Sequence, residues 1–205
     1  MSNFNKLMPA FVGGIGAGML VGIGGTVLMS VEDRIVGAVM FTIALLAICY
    51  LGLYLFTGRI GFAAEQFDRF VALNLAAGLL GNFIGATLTG LIMRFARPSI
   101  IRRAVEACTA RLENGILRAF LLGCFCGVLM YAAVKIYKLG SPLGIIFCIP
   151  VFILSGFEHS IADMFYFALA GMINLSYLGF IVAVIVGNSV GALALAMIWK
   201  VANNK

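Results

Sequence analysis

Ser155-Gly156-Phe157-Glu158-His159-Ser160-Ile161-Ala162-Asp163-Met164 lies in the middle of an otherwise apolar run from Leu143 to Ile173. That run is 31 residues long, too long for one plain membrane span of ~20 residues and too short for two. Two half-helices meeting at the polar segment resolve the length. A charged Glu158 or His159 inside a bilayer is costly, so both must face protein or a water-filled path. The chain has one histidine, His159. Its ring can donate to a passing anion from one nitrogen while a neighbour holds the other, and it can lend a proton. The plainer account is a core histidine satisfied by backbone carbonyls, but an intramembrane ionisable residue is read as functional by default. Glu158 points away from its neighbour and reads as a holder of backbone donors freed by the break. Asp163 lies four residues after His159, on the same helical face. It is read here as satisfying the first-turn donors of the second half-helix.

The rest of the chain supplies the membrane for this segment. Of 205 residues, 63% are apolar and 11% charged, against roughly 45–50% (glycine included) and 25% in a soluble domain. The composition excludes a soluble, a disordered or a fibrous protein and leaves an integral membrane protein, all-α because only helices satisfy the backbone in such runs. Six spans are expected: Met8–Met29, Ile35–Phe56, Phe70–Met93, Ile116–Val134, the interrupted Leu143–Ile173, and Tyr177–Trp199. The first is expected to be kept as a span, since no small-residue cleavage site follows it at a suitable distance. Thr57-Gly58 breaks the second span, and the polar stretch Arg94–Arg118 separates the third from the fourth.

Fourteen Lys and Arg against eight Asp and Glu give a net charge of +6. The basic residues sit in short loops, which disfavours a nucleic-acid partner and suits an anionic solute or lipid headgroups. With the termini expected on the cytoplasmic side of the cell membrane, Lys6, Arg59, Arg69, Lys135, Lys138, Lys200 and Lys205 fall inside. Arg34, Arg94, Arg97, Arg102, Arg103, Arg111 and Arg118 fall outside, so charge bias alone does not orient the protein. The cysteines (Cys49, Cys108, Cys124, Cys126, Cys148) mostly lie in apolar runs and read as packing residues. No metal or cofactor is expected, because Cys124-x-Cys126 lacks ligand spacing.

Three local matches relate the halves. Ala10-Phe11-x-x-Gly14-x-x-x-Gly18 matches Ala119-Phe120-x-x-Gly123-x-x-x-Gly127, Leu55-Phe56-Thr57-Gly58 is set against Leu154-Ser155-Gly156-Phe157, and Gly81-Asn82-x-x-Gly85-Ala86 matches Gly187-Asn188-x-x-Gly191-Ala192. Mapping three spans onto three places the halves in opposite orientations, with a solute path at their interface. One channel domain over residues 1–205 is expected, with repeats at about 8–93 and 116–199. Asn82 and Asn188 serve either an interhelical hydrogen bond between small residues or a pore lined with amide donors.

These residues together resemble the formate/nitrite transporter family, through Ser155–Ala162, Leu55–Gly58, both Gly-Asn-x-x-Gly segments and a glycine-rich first span. The resemblance implies an aquaporin-like protomer in a homopentamer, each subunit with its own pore for small monovalent anions. It implies His159 as the central histidine, Thr57 as its hydroxyl partner, and Asn82, Asn188 and Glu158 along the pathway. It also implies apolar constrictions near Leu45, Phe56 and Phe152, with Arg111 where the family tends to carry a vestibule lysine. Asp163 stands where many members have Asn, Arg59 follows the Thr-Gly break, and Gly123 replaces a frequent Asn.

Apolar rings make passage of a bare charge costly and favour a neutral acid. His159 is expected to hydrogen-bond or transiently protonate the solute there. The alternative is a neutral-solute channel of the water or glycerol kind. A membrane enzyme using Glu158 and His159 ranks last, for want of a nucleophile or metal cluster.

Overall fold

The computed structural model describes residues 3–203, so Lys205 and the extreme ends of the 1–205 domain lie outside the described residues. These residues are helical, with no strand among them. Four helices are long and apolar enough to cross a membrane: α1 (Asn3–Ser30), α4 (Arg69–Ala96), α6 (Gly115–Lys138) and α9 (Leu175–Ala202). The others are α2 (Arg34–Tyr50), α3 (Phe56–Arg59), α5 (Ile101–Glu113), α7 (Leu143–Leu154) and α8 (Ser160–Ala170).

Glycine seams set the pairing. Helix α1 lies along α4 and α6 along α9. A Cβ added at Gly14 would sit 2.6 Å from the Gly78 carbonyl oxygen, and one at Gly123 would sit 3.1 Å from that of Val184. Small residues thus let the backbones approach as membrane helices do when van der Waals packing has to substitute for the hydrophobic effect.

The breaks are where the chain departs from simple spans. Helix α2 stops at Tyr50, not near Phe56: Gly52 turns it off at φ +66°, and helix resumes only at Phe56. The fifth run splits into α7 and α8, with Gly156 at φ +71° between them. Helix α8 is buried along its whole length. It ends where Gly171 adopts a left-handed conformation and Arg94 Nη1 donates to the Leu169 carbonyl at 2.9 Å.

The polar stretch after α4, which composition marks only as a separator of spans, contains the helix α5. Ala104 and Cys108, four residues apart, are its buried stripe. Ile101, Val105 and Leu112 flank them on the same face, a helical period that the five charged residues of the segment hide from composition alone. Helix α5 packs on α8 and brings Arg111 to the break between α7 and α8.

Candidate functional site: a clamped histidine between two mouths

Each break is held by one asparagine. Asn82 accepts from the Phe56 N–H at 2.8 Å and donates to the carbonyls of Tyr54 and Gly14, each at 2.8 Å. Asn188 accepts from the Ser160 N–H at 3.0 Å and donates to the carbonyls of Glu158 and Gly123, each at 2.9 Å. Both side chains are fully buried. Both amide hydrogens of each are committed to backbone, so the reading of Asn82 and Asn188 as donors open to a solute gives way to that of clamps.

The clamps also correct the match between the halves. Asn82 grips Tyr54 and Phe56, the two neighbours of Leu55; Asn188 grips Glu158 and Ser160, the two neighbours of His159. The counterpart of His159 is therefore Leu55, and residues 54–56 correspond to 158–160, not 55–58 to 154–157. Both held residues are extended, Leu55 at φ −98°, ψ 117° and His159 at φ −112°, ψ 109°. The short similarity of Leu-Phe-Thr-Gly to Leu-Ser-Gly-Phe had masked this register.

His159 caps α8. Its Nδ1 accepts from the Ala162 N–H at 3.2 Å, and its Nε2 lies 2.8 Å from Thr57 Oγ1. An acceptor role at Nδ1 assigns the neutral ring's hydrogen to Nε2, which then donates to Thr57. A second hydrogen on Nδ1 would face the Ala162 N–H, so the arrangement suits a neutral donor better than an imidazolium acid. Phe152 stacks on the ring, with centroids 5.7 Å apart and planes at 25°.

Three cavities meet along this axis. A vestibule of about 210 Å³ is lined by Arg34, Arg103, Arg111, Phe152, His159 and Asp163 among others. A chamber of about 10 Å³ lies against Leu45, Leu55, Met130, Phe152 and His159; by size it admits one water-sized molecule. On the far side a mouth of about 80 Å³ shares Leu45 and Leu55 with the chamber and carries Arg59 and Lys138. Phe152 thus stands between vestibule and chamber, and Leu45 with Leu55 between chamber and far mouth. Phe56 lines none of these cavities; it packs with Ala63 and Leu75 to the side. Leu55 occupies the place expected of Phe56, because the clamp turns residue 55 and not 56 to the axis.

Glu158 and Asp163 do not serve the backbone of the break. Asn188 and His159 take the Ser160 and Ala162 donors, and both carboxylates turn to Arg111. Its Nε lies 2.9 Å from Glu158 Oε2 and 3.3 Å from Asp163 Oδ1. Burial works against the Arg111 charge, but the two carboxylates outweigh it and hold the guanidinium's proton more tightly than usual. Arg111→Met, which keeps bulk and removes charge, is expected to destabilise the protein by roughly 2–3 kcal/mol. That is below the 3–5 kcal/mol typical of a fully buried pair, because the arginine side chain is 22% exposed. Thermal unfolding in detergent measures the loss, and Arg111→Lys should recover most of it.

Comparison with known proteins follows the same architecture. The family model described as formate/nitrite transporter matches residues 3–202. The chain belongs to the formate/nitrite transporter family. Among its relatives is the formate channel FocA of Haemophilus influenzae, 26% identical over 152 residues, which are 64% of this chain and 52% of that protein. Another is the uncharacterized transporter YwcJ of Bacillus subtilis, 29% identical over 160 residues, 67% of this chain and 59% of that protein. The chain thus matches little more than half the length of these curated relatives. Among solved structures, a pentameric formate channel with formate bound superposes with a TM-score of 0.83 at 22% identity, covering 98% of each chain. An FNT family ion channel superposes with a TM-score of 0.79 at 23% identity, covering 97% of this chain and 90% of the other. The fold is therefore that of formate/nitrite transporter channels, and the protein is a multi-pass membrane protein.

Within this family frame, Asp163 places a second carboxylate on the vestibule cation. Arg59 lies over the Tyr54 ring, 4.5 Å from its centroid, at the far mouth. Leu55 and the pair Arg34 and Arg103 went unremarked as site residues in the sequence. A comparison of halves anchored on the two asparagines, rather than on Thr57-Gly58, would have found Leu55.

Proposed function

We propose that the protein is a channel for small monovalent anions or their weak acids, such as formate, nitrite or hydrosulfide, and not an enzyme. The observation that carries the reading is the line of cavities from an arginine-bearing vestibule, past Phe152, to a chamber lined by His159, whose Nε2 is held by Thr57. Arginines raise the anion concentration at the mouth, and the apolar residues Phe152, Leu45 and Leu55 resist a bare charge. At the chamber, the solute exchanges hydration for the Nε2–H of His159, taking it in place of Thr57 Oγ1. His159 acts there as a hydrogen-bond donor, with Glu158 behind it holding Arg111 in the vestibule wall.

The same reading takes residues 1–205 as one channel domain of six spans in two inverted repeats, aquaporin-like in plan. Support comes from the paired glycine seams, the two breaks and the two identical asparagine clamps. Assembly as a homopentamer follows the structural neighbour that is pentameric; placement in the cell membrane with cytoplasmic termini belongs to the same reading.

Purified protein in liposomes, offered formate, nitrite, hydrosulfide, acetate and lactate, is expected to pass the smaller anions with a rate that depends on pH and salt. Glycerol is expected not to pass. Glycerol flux without formate or nitrite flux would replace this proposal with the neutral-solute reading.

A further inference from the structure

The vestibule carries three guanidinium groups, and their partners divide them. Arg111 is matched by two carboxylates, Glu158 and Asp163. Arg34 Nη2 donates to the Ile153 carbonyl at 3.0 Å, and Arg103 Nη1 donates to the carbonyls of Val31 and Met29. Neither Arg34 nor Arg103 lies within ion-pairing distance of an acid among the described residues. Arg34 and Arg103 therefore bring the vestibule positive charge that no carboxylate within reach offsets.

Their positions are built. The carbonyls they grip are at the C-terminal ends of α1 and α7, where free carbonyls and the negative end of the helix dipole attract and orient a cation. A guanidinium has five N–H donors in a rigid fork; with one nitrogen anchored on a carbonyl, the others remain for an oxyanion. Both residues line the same cavity as His159 and Phe152.

We propose that Arg34 and Arg103, and not Arg111, form the docking pair that receives a small monovalent oxyanion in the vestibule before it passes Phe152. This rests on the channel reading above and names the site that feeds it. Arg111 is then a positioning residue that fixes Glu158 and Asp163.

Helix capping alone is the competing account, and glutamine separates the two: it still donates to the carbonyl but carries no charge, whereas lysine keeps both. In liposomes holding the full chain, Arg34→Gln and Arg103→Gln should each raise the half-saturating formate concentration roughly tenfold, the low end for loss of a charge-assisted bond. They should also flatten the dependence on ionic strength, while Arg34→Lys and Arg103→Lys stay within about twofold of wild type. Half-saturation unchanged in the glutamine variants, or lost equally in the lysine variants, overturns the docking pair. A second measurement needs no variant: formate should slow phenylglyoxal labelling of Arg34 and Arg103, read by peptide mass spectrometry, and glycerol should not. Labelling indifferent to formate overturns the proposal as well. If wild-type liposomes pass no small anion at all, the channel reading itself has failed, a result distinct from equal uptake by wild type and glutamine variants.

Discussion

Replacing His159 with alanine is expected to cut formate or nitrite uptake in liposomes by about ten- to a hundredfold, and to change its pH profile. The substitution removes the Nε2–H that faces Thr57 at 2.8 Å, the cap on Ala162 and the ring stacked on Phe152. A hydrogen bond to a charged group is worth roughly 1.5–3 kcal/mol, and that energy in a transfer barrier corresponds to the stated range. The alanine variant also enlarges a chamber of only about 10 Å³. Two opposite outcomes are therefore separable. If the histidine serves as a donor, anion flux falls although the hole widens. If the lane is a sieve only, flux rises and glycerol leaks. A flux–pH profile identical to wild type would remove His159 from the mechanism. Loss of the N-cap costs roughly 0.5–2 kcal/mol, so folded protein should remain available for the comparison.

How much of this was legible beforehand depends on how local the signal was. The polar decapeptide in a 31-residue apolar run announced the broken fifth segment, since length and polarity conflict within one stretch. The position of the other break was not legible. Helix α2 stops at Tyr50, turned off at Gly52, although no charged residue marks the place, and the chain reaches Phe56 as it does because Asn82, 26 residues away from Phe56, bonds it there. Glu158 and Asp163 were misread for the same reason. Their partner, Arg111, arrives from α5, 47 residues before Glu158 in the chain, so no neighbouring residue foretold the pair. Leu55 shows the general limit: which of two adjacent apolar residues faces the axis is decided by a clamp remote in sequence, and hydropathy does not distinguish Leu55 from Phe56.

The clamps themselves carry the other large expectation. Asn188→Leu, branched at the same carbon and unable to hydrogen-bond, should destabilise the protein by roughly 3–6 kcal/mol. Three backbone groups lose their partner at once: the Ser160 N–H and the carbonyls of Glu158 and Gly123. Side-chain hydrogen bonds between membrane helices average only about 0.6 kcal/mol, because their partners find substitutes. That average does not transfer to this site. The Ser160 N–H and the Glu158 carbonyl are freed by the break, and no helix can take them back without moving His159 from the axis. A buried backbone group left unpaired costs roughly 1–3 kcal/mol. The neighbouring seam at Gly127 and Gly191, where an added Cβ meets backbone, leaves no room for relaxation by insertion of a side chain. Detergent-solubilised membrane proteins often unfold irreversibly, so the rate of unfolding at fixed temperature is the better observable, with Asn82→Leu as a parallel. Both variants should unfold much faster than wild type, and to a similar degree, since each loses one acceptor and two donor bonds. A variant that keeps wild-type stability but loses flux would mean the amide serves the solute and not the break. The clamp account, and with it the correspondence of Leu55 with His159, would then be wrong.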